Sequence, residues 1–188
     1  MQSDLFSPAP PGPQGLIYRE DLVTPAEEAG LIAAFETLPF APFQFHGHEG
    51  LRRVVAFGSR YDYARARVAL AAPIPDWLGL LRARAARMAG IESADLVQAL
   101  VTEYRPGAPI GWHRDRPHYG TVVGVSFGSA CVLRFRRGRP AGGWERYARP
   151  LEPRSAYVLD GEARRIWEHS IAPAAALRYS VTFRTLRD

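Results

Sequence analysis

Arg178-Tyr179-Ser180-Val181-Thr182-Phe183-Arg184 alternates polar and apolar residues at the period of a β-strand. Arg178, Ser180, Thr182 and Arg184 share one face, and Tyr179, Val181 and Phe183 the other. The first set suits the interior of a barrel-like fold and the second suits packing beneath another layer. Working outward, Leu96 to Tyr104, Thr121 to Phe127, Ala130 to Arg136 and Arg154 to Leu159 read as further short strands, and Leu177 to Leu186 as the strand that holds the opening stretch. Gly and Pro separate these runs, as in Gly142-Gly143-Trp144, read as a turn. Many short punctuated strands predict a double-stranded β-helix, the jelly roll of cupin-like proteins.

The first half of the chain reads differently. Thr24-Pro25-Ala26-Glu27 combines a cap, a proline at the first helical position and a capping box, and Leu31, Ile32, Phe35 and Leu38 then mark a buried stripe that Pro39 ends. A second helix is predicted from about Asp76 to Gly90, burying Trp77, Leu80, Leu81 and Met88 and leaving Arg82, Arg84 and Arg87 to solvent. The class is therefore α+β, with N-terminal helices packed on one sheet of the jelly roll. Residues 1–15, rich in proline, read as a flexible leader, and 16–188 as one domain.

At 188 residues, 47% of them apolar, the chain has material for a single substantial core. The net charge of +5 is carried by arginine, whose planar fork suits phosphate and carboxylate. That balance fits an anionic partner such as nucleic acid, and equally a GC-rich genome that writes arginine for lysine. No apolar run approaches the roughly 18–20 residues needed to span a bilayer, so no membrane partner is expected. With no signal-peptide pattern and one cysteine, Cys131, read as an inert core thiol, a cytoplasmic protein is expected. A monomer is expected as well.

Chemistry concentrates in Tyr104-Arg105-Pro106-Gly107-Ala108-Pro109-Ile110-Gly111-Trp112-His113-Arg114-Asp115, answered downstream by His169. In extended backbone His113 and Asp115 point the same way, so one strand end can present both to a single ion. Two imidazoles and a carboxylate form the set that holds non-haem Fe(II) on one face and leaves the other open. A His-x-Asp pair on a solvated turn also arises by chance, and a zinc hydrolase on a cupin-like barrel would use similar ligands. The two inward arginines favour a metal and a small dianion bound together, because a buried carboxylate needs a cation.

These three elements, Val101 to Asp115, Glu168-His169 and Arg178 to Arg184, together resemble the AlkB family of Fe(II)- and 2-oxoglutarate-dependent dioxygenases; Asp4-Leu5-Phe6 resembles that family's N-terminus. The resemblance runs from about residue 16 onward. It implies that His113, Asp115 and His169 are catalytic iron ligands, that Arg178 and Arg184 hold the co-substrate and active-site anions, and that the Tyr104 hydroxyl contacts 2-oxoglutarate. Thr102 and Ser180 stand where well-known members carry asparagines beside 2-oxoglutarate, and their shorter hydroxyls make smaller contributions. Arg116-Pro117-His118 replace acidic residues that contact the target base in repair members, so base selectivity does not carry over.

The resemblance also implies a nucleotide-recognition lid near 43–63. There Phe45, Arg52, Arg53, Arg60 and Tyr61 interleave aromatic and basic side chains fit to stack a base and hold phosphates. His46-Gly47-His48 lacks a third ligand for a second metal. Trp112 and Trp167, each beside a metal ligand, are expected to dry the site. The implied activity uses Fe(II), 2-oxoglutarate and O2 to dealkylate N-alkylated bases in single- or double-stranded DNA or RNA, releasing formaldehyde, succinate and CO2. An oxygenase of the same fold acting on protein or lipid, and a silent nucleic-acid-binding module, are the competing expectations.

Overall fold

Strand parity sorts the β core into two antiparallel sheets. The computed structural model describes residues 12–45, 48–62 and 67–187. Its larger sheet contains β1 (Leu16–Arg19), β2 (Ala41–Phe45), β3 (His48–Asp62), β4 (Arg67–Leu70), β5 (Gln98–Tyr104), β7 (Tyr119–Gly128), β10 (Ala156–Leu159) and β12 (Arg178–Leu186). The order is β1-β10-β7-β12-β5-β3-β2, with β4 paired to β3. The smaller sheet contains β6 (Ile110–His113), β8 (Cys131–Gly138), β9 (Trp144–Leu151) and β11 (Glu168–Ile171), in the order β6-β11-β8-β9. This is the predicted jelly roll.

β12 lies at the centre of the larger sheet, and its two faces feed two cores. Tyr179, Val181 and Phe183 join Phe127, Val125 and Val101 beneath α1 (Pro25–Glu36) and α2 (Gly79–Ala89), which supply Phe35, Leu81 and Ala85. Each large apolar side chain buried there contributes about 1.5–3 kcal/mol. The opposite face meets the smaller sheet over Leu133, Phe135, Leu159, Trp167 and Ile171. The functional residues are embedded in this second, mixed layer.

The α1 start follows the sequence: Thr24 accepts from the Glu27 amide at 3.3 Å, and Glu27 accepts from the Thr24 amide at 2.8 Å. Glu27 also receives a two-point contact from Arg84, 2.7 Å at each oxygen. Hydrogen bonding from Arg84 draws the Glu27 carboxyl down to about 2. Arg84 thus joins the two helices instead of lying free on a solvated face. The buried stripe of the second helical segment also differs from expectation. Asp76–Leu78 is a short 3-10 turn leading into α2, and it places Leu78, Leu81 and Ala85 inward. Trp77 and Leu80 remain 38% and 59% exposed, because i, i+3, i+7 spacing from Leu78 defines the buried face. Gly90 ends α2 in the left-handed conformation.

Seven strands go beyond the five runs read from sequence: β1, β2, β3, β4, β6, β9 and β11. β9 carries Arg146 and Arg149, three residues apart and therefore on opposite faces of this edge strand, which masks its strand period. Gly142 and Gly143 do form a turn, while Trp144 opens β9. Most of the predicted leader lies outside the described residues, but its end is fastened: the carbonyls of Gln14 and Gly15 accept from Ala163 and Asp160 at 2.8 and 3.0 Å. No described helix is long and apolar enough to cross a membrane.

Candidate functional site

β6 and β11 are neighbours, and their register sets His113 directly opposite His169. The imidazole centroids are 4.3 Å apart. Asp115 follows two residues after His113, and its Oδ2 lies 3.7 Å from His169 Nε2. The three sequence-predicted ligands therefore meet at one point in space. Among the described residues no trio of His, Cys, Asp or Glu is closed to metal-bonding geometry. Donors bound cis to one ion at about 2.1 Å stand roughly 3 Å apart, closer than the 3.7 Å between Asp115 and His169 here.

The donor chemistry fits a divalent metal. His113 Nδ1 lies 2.9 Å from the Gly111 carbonyl; as the N–H donor there, it leaves Nε2 as a free lone pair. His169 is 7% exposed and its Nδ1 has no protein partner. Burial, assisted by the charge of His113 and opposed by Asp115, pushes His169 down to about 3. Burial likewise lowers His113, against the pull of Asp115. Both rings are thus neutral and ready to ligate at ordinary pH. For Asp115 burial works upward, but Arg184, His169, His113 and Arg164 outweigh it and hold the carboxyl well below its usual range.

Two arginines set that carboxylate. Arg184 of β12 donates from Nε and Nη2 to Asp115 Oδ1, at 3.2 and 2.9 Å, and from Nη1 to Gln98 at 2.9 Å. Arg164, on α3 (Gly161–Arg165), was not anticipated from sequence. Its guanidinium is 6% exposed and donates to the main-chain carbonyls of Asp115, Arg116, Tyr119 and Gly120, at 3.2, 2.7, 2.7 and 3.0 Å. One buried cation therefore ties down the loop that carries a ligand. In sequence Arg164-Arg165 resembles a solvated pair on a short helix, and only the tertiary arrangement reveals the role.

The second half of the site surrounds Arg178, 1% exposed. Its Nε donates to Ser126 at 3.1 Å, its guanidinium carbon lies 4.6 Å over the Tyr104 ring, and its Nη1 has no partner. β5 and β12 pair Arg178 with Tyr104 and Ser180 with Thr102, so all four side chains share the interior face. The Tyr104 and Ser180 hydroxyls are 3.4 Å apart. A buried arginine with an unused donor, flanked by three hydroxyls, is built to receive a carboxylate. Tyr157 was also missed. It reaches inward opposite Gly124, where any β-carbon would collide with its ring, and burial keeps its phenol protonated.

The lid residues divide. Val54 pairs with Thr102, so parity turns Arg52 to the interior side of β3, where its charge contributes to lowering His113 and it stacks 3.9 Å over Phe43. Arg53 corrects the sequence reading. It lies on the other face, bound to Glu103 at 3.0 Å and to the Phe40 carbonyl at 2.9 Å. Arg60 and Tyr61 pair along β4. Their side chains, that of Phe45, and the His46-Gly47 segment lie outside the described residues. Trp112 also departs from expectation: it points away from the metal ligands, against Arg134 and Arg136. Trp167, 3% exposed, packs inside as expected. Cys131 is only partly buried at the margin of that layer, and burial raises its thiol.

Comparison with known proteins agrees with this geometry. Residues 24–184 match the 2OG-Fe(II) oxygenase superfamily. The chain is 27% identical over 172 residues, 88% of its length, to the tRNA (carboxymethyluridine(34)-5-O)-methyltransferase alkbh8 of Xenopus tropicalis, spanning 26% of that protein. It is 32% identical over 102 residues to the uncharacterized protein L905 of Acanthamoeba polyphaga mimivirus, covering 47% of this chain and 48% of that one. The chain thus spans from a quarter to a half of these relatives' lengths. The solved structure of OsALKBH1 superposes with a TM-score of 0.65 at 16% identity, covering 92% of this chain and 97% of that one, which shows a shared fold. With the two imidazoles on the small sheet and the arginine pair on the large one, the chain belongs to the 2OG-Fe(II) oxygenase superfamily, which works with Fe(II), 2-oxoglutarate and O2, and it is similar to the AlkB homologues named above.

Proposed function

We propose that residues 16–188 form one catalytic unit that oxidatively dealkylates N-alkylated bases of DNA or RNA, removing alkylation damage directly. The observation that carries the oxygenase chemistry is the buried Arg178, with an unpaired donor, on the interior face that also presents Arg184 to the ligand Asp115. A nucleic-acid substrate is supported by Arg52 and Phe43 stacked on the interior side of β3 and by the tRNA named for the alkbh8 relative.

In this reading His113, Asp115 and His169 hold the iron. Arg178 receives the far carboxylate of 2-oxoglutarate, while Tyr104, Thr102 and Ser180 donate to it. Arg184 and Arg164 hold Asp115 in place. Leu133, Phe135 and Trp167 keep water from the layer behind the ligands. Bound iron, 2-oxoglutarate and O2 together supply the oxidation of the alkyl carbon, with succinate and CO2 as co-products. The hydroxylated carbon attached to nitrogen is a hemiaminal, which expels formaldehyde and restores the base. Alkylated bases leave the stack more cheaply than intact ones, which favours their capture.

The test is formaldehyde release and base restoration from N-methylated DNA and RNA oligonucleotides with Fe(II) and 2-oxoglutarate. Succinate formation that no methylated oligonucleotide stimulates would redirect the search to protein or lipid substrates.

A further inference from the structure

The outer face of the small sheet is not used by the chemistry above, and its charge is one-sided. Parity turns Trp112, Arg134, Arg136 and Arg146 away from the metal ligands, because His169 pairs with His113 and with Phe135. Arg136 lies between two indoles, 4.5 Å from the Trp112 ring and 4.2 Å from that of Trp144, which is 44% exposed. Glu168 bonds Arg136 at 2.7 Å and is the one acid on this face among the described residues.

β8 and β9 set Arg136 directly opposite Arg146. Like charges at such a position, with Cβ atoms about 4.5–5.5 Å apart, destabilise a sheet unless an anion joins them. Glu168 serves Arg136, but Arg146 has no hydrogen bond or ion pair among the described residues. Among the described residues Arg134 has only the Ser170 hydroxyl, at 3.1 Å, and the Trp112 ring, whose centroid is 5.4 Å from its guanidinium carbon. Arg114, exposed between the two ligands of the His-x-Asp pair, extends the positive surface towards the metal site. The sequence reading had assigned Trp112 to the site interior, so this face was not anticipated.

We propose that this face, centred on Arg134, Arg136, Trp144 and Arg146, binds the sugar-phosphate backbone of the polynucleotide flanking the target base. The proposal rests on the nucleic-acid reading of the site and adds a second, sequence-independent contact outside the lid. Four strands spaced about 4.8 Å apart give a platform roughly 14 Å wide, enough for a few nucleotides. Arginine forks grip phosphates, and the exposed indole offers a stacking face to any base. An anionic bilayer is the poorer fit, because the indoles are engaged with arginine on a flat sheet and do not project as an apolar wedge.

The experiment measures binding of unmodified single strands of about 6 and about 20 nucleotides across a salt series by the wild-type chain, Arg146→Gln, Arg146→Glu and Arg134→Gln. Arg146 has no partner to lose among the described residues, and Arg146→Glu can pair with Arg136, so folding is not at stake. Wild type should bind the longer strand more tightly. Each glutamine variant should lose about fivefold of that affinity and roughly 0.7 of the salt slope per phosphate contact. Arg146→Glu should lose more. Identical slopes and length dependence in wild type and variants would overturn the proposal. So would arginine-dependent binding to phosphatidylserine vesicles without any to the strands. Failure of wild type to dealkylate any methylated oligonucleotide would overturn the nucleic-acid reading, while the length and salt comparison would still judge the outer face by itself.

Discussion

Arg184 directs two donors to a single oxygen of Asp115, Oδ1, at 3.2 and 2.9 Å, leaving Oδ2 to face His169 Nε2 at 3.7 Å. The pairing keeps the carboxylate ionised and orients it as a one-oxygen ligand. Arg184→Gln should therefore lower divalent-metal affinity by about 10- to 100-fold, the usual consequence of removing a group that orients a ligand. Titrating metal-free protein with Co(II) and following its absorption checks this. An unchanged affinity would assign Arg184 to the co-substrate alone.

Arg178→Lys keeps the charge and loses the fork. A charge-assisted bond of about 1.5–3 kcal/mol is at stake, so the 2-oxoglutarate KM should rise tenfold or more. Thr102→Ala and Ser180→Ala should raise it less, since each removes a neutral hydroxyl. A KM series in which all three variants match would mean that the arginine is not the principal anchor.

Acid should weaken the metal-free fold through His169. Its pKa is about 3 when folded and near 6.5 when unfolded. Between those values the unfolded chain binds more protons, so stability falls as pH drops from about 6.5 towards 3. Urea midpoints of metal-free protein at pH 7, 6, 5 and 4, about one unit apart, should decline steadily, and His169→Gln should flatten the decline. A wild-type midpoint constant across this range would show that His169 is not held neutral.

Arg164→Lys should damage both stability and metal binding. A lysine cannot reach four diverging carbonyls, and those left buried and unpaired cost about 1–3 kcal/mol each where water cannot replace the donor. A loss of about 3 kcal/mol in denaturant unfolding, together with a metal affinity at least tenfold weaker, is expected. Unfolding without a change in metal affinity would limit Arg164 to a structural part.

Arg52 and Arg53 are adjacent in sequence and should behave as opposites. Arg52→Gln should reduce the salt slope of strand binding by roughly 0.7. Arg53→Gln should leave that slope alone and cost about 1 kcal/mol of stability through Glu103. Equal slopes for the two variants would remove Arg52 from the substrate path.

Strong local signals made much of this legible in the sequence. The Thr24 capping box, the alternation of Arg178 to Arg184 and the spacing of His113 and Asp115 are short-range patterns, and each appears in the structure where the sequence implies it. What stayed hidden depends on which face meets which partner. Arg53 and Trp112 carry the residue types of a functional site, yet a one-residue change of parity sends each to the opposite side of its strand. Arg164 and Tyr157 look ordinary because their partners are distant in sequence: four carbonyls in the Asp115 to Gly120 loop, and the space left by Gly124.

The two imidazoles are carried by one sheet and both arginines by the other, with Asp115 spanning them through Arg184. Any breathing motion that parts the sheets draws the imidazoles away from the carboxylate cradle, which lies wholly on the larger sheet, and so separates the two halves of the site in one event. Iron loading and co-substrate capture are therefore thermodynamically linked through a single closure, and each must raise the affinity for the other by the same factor.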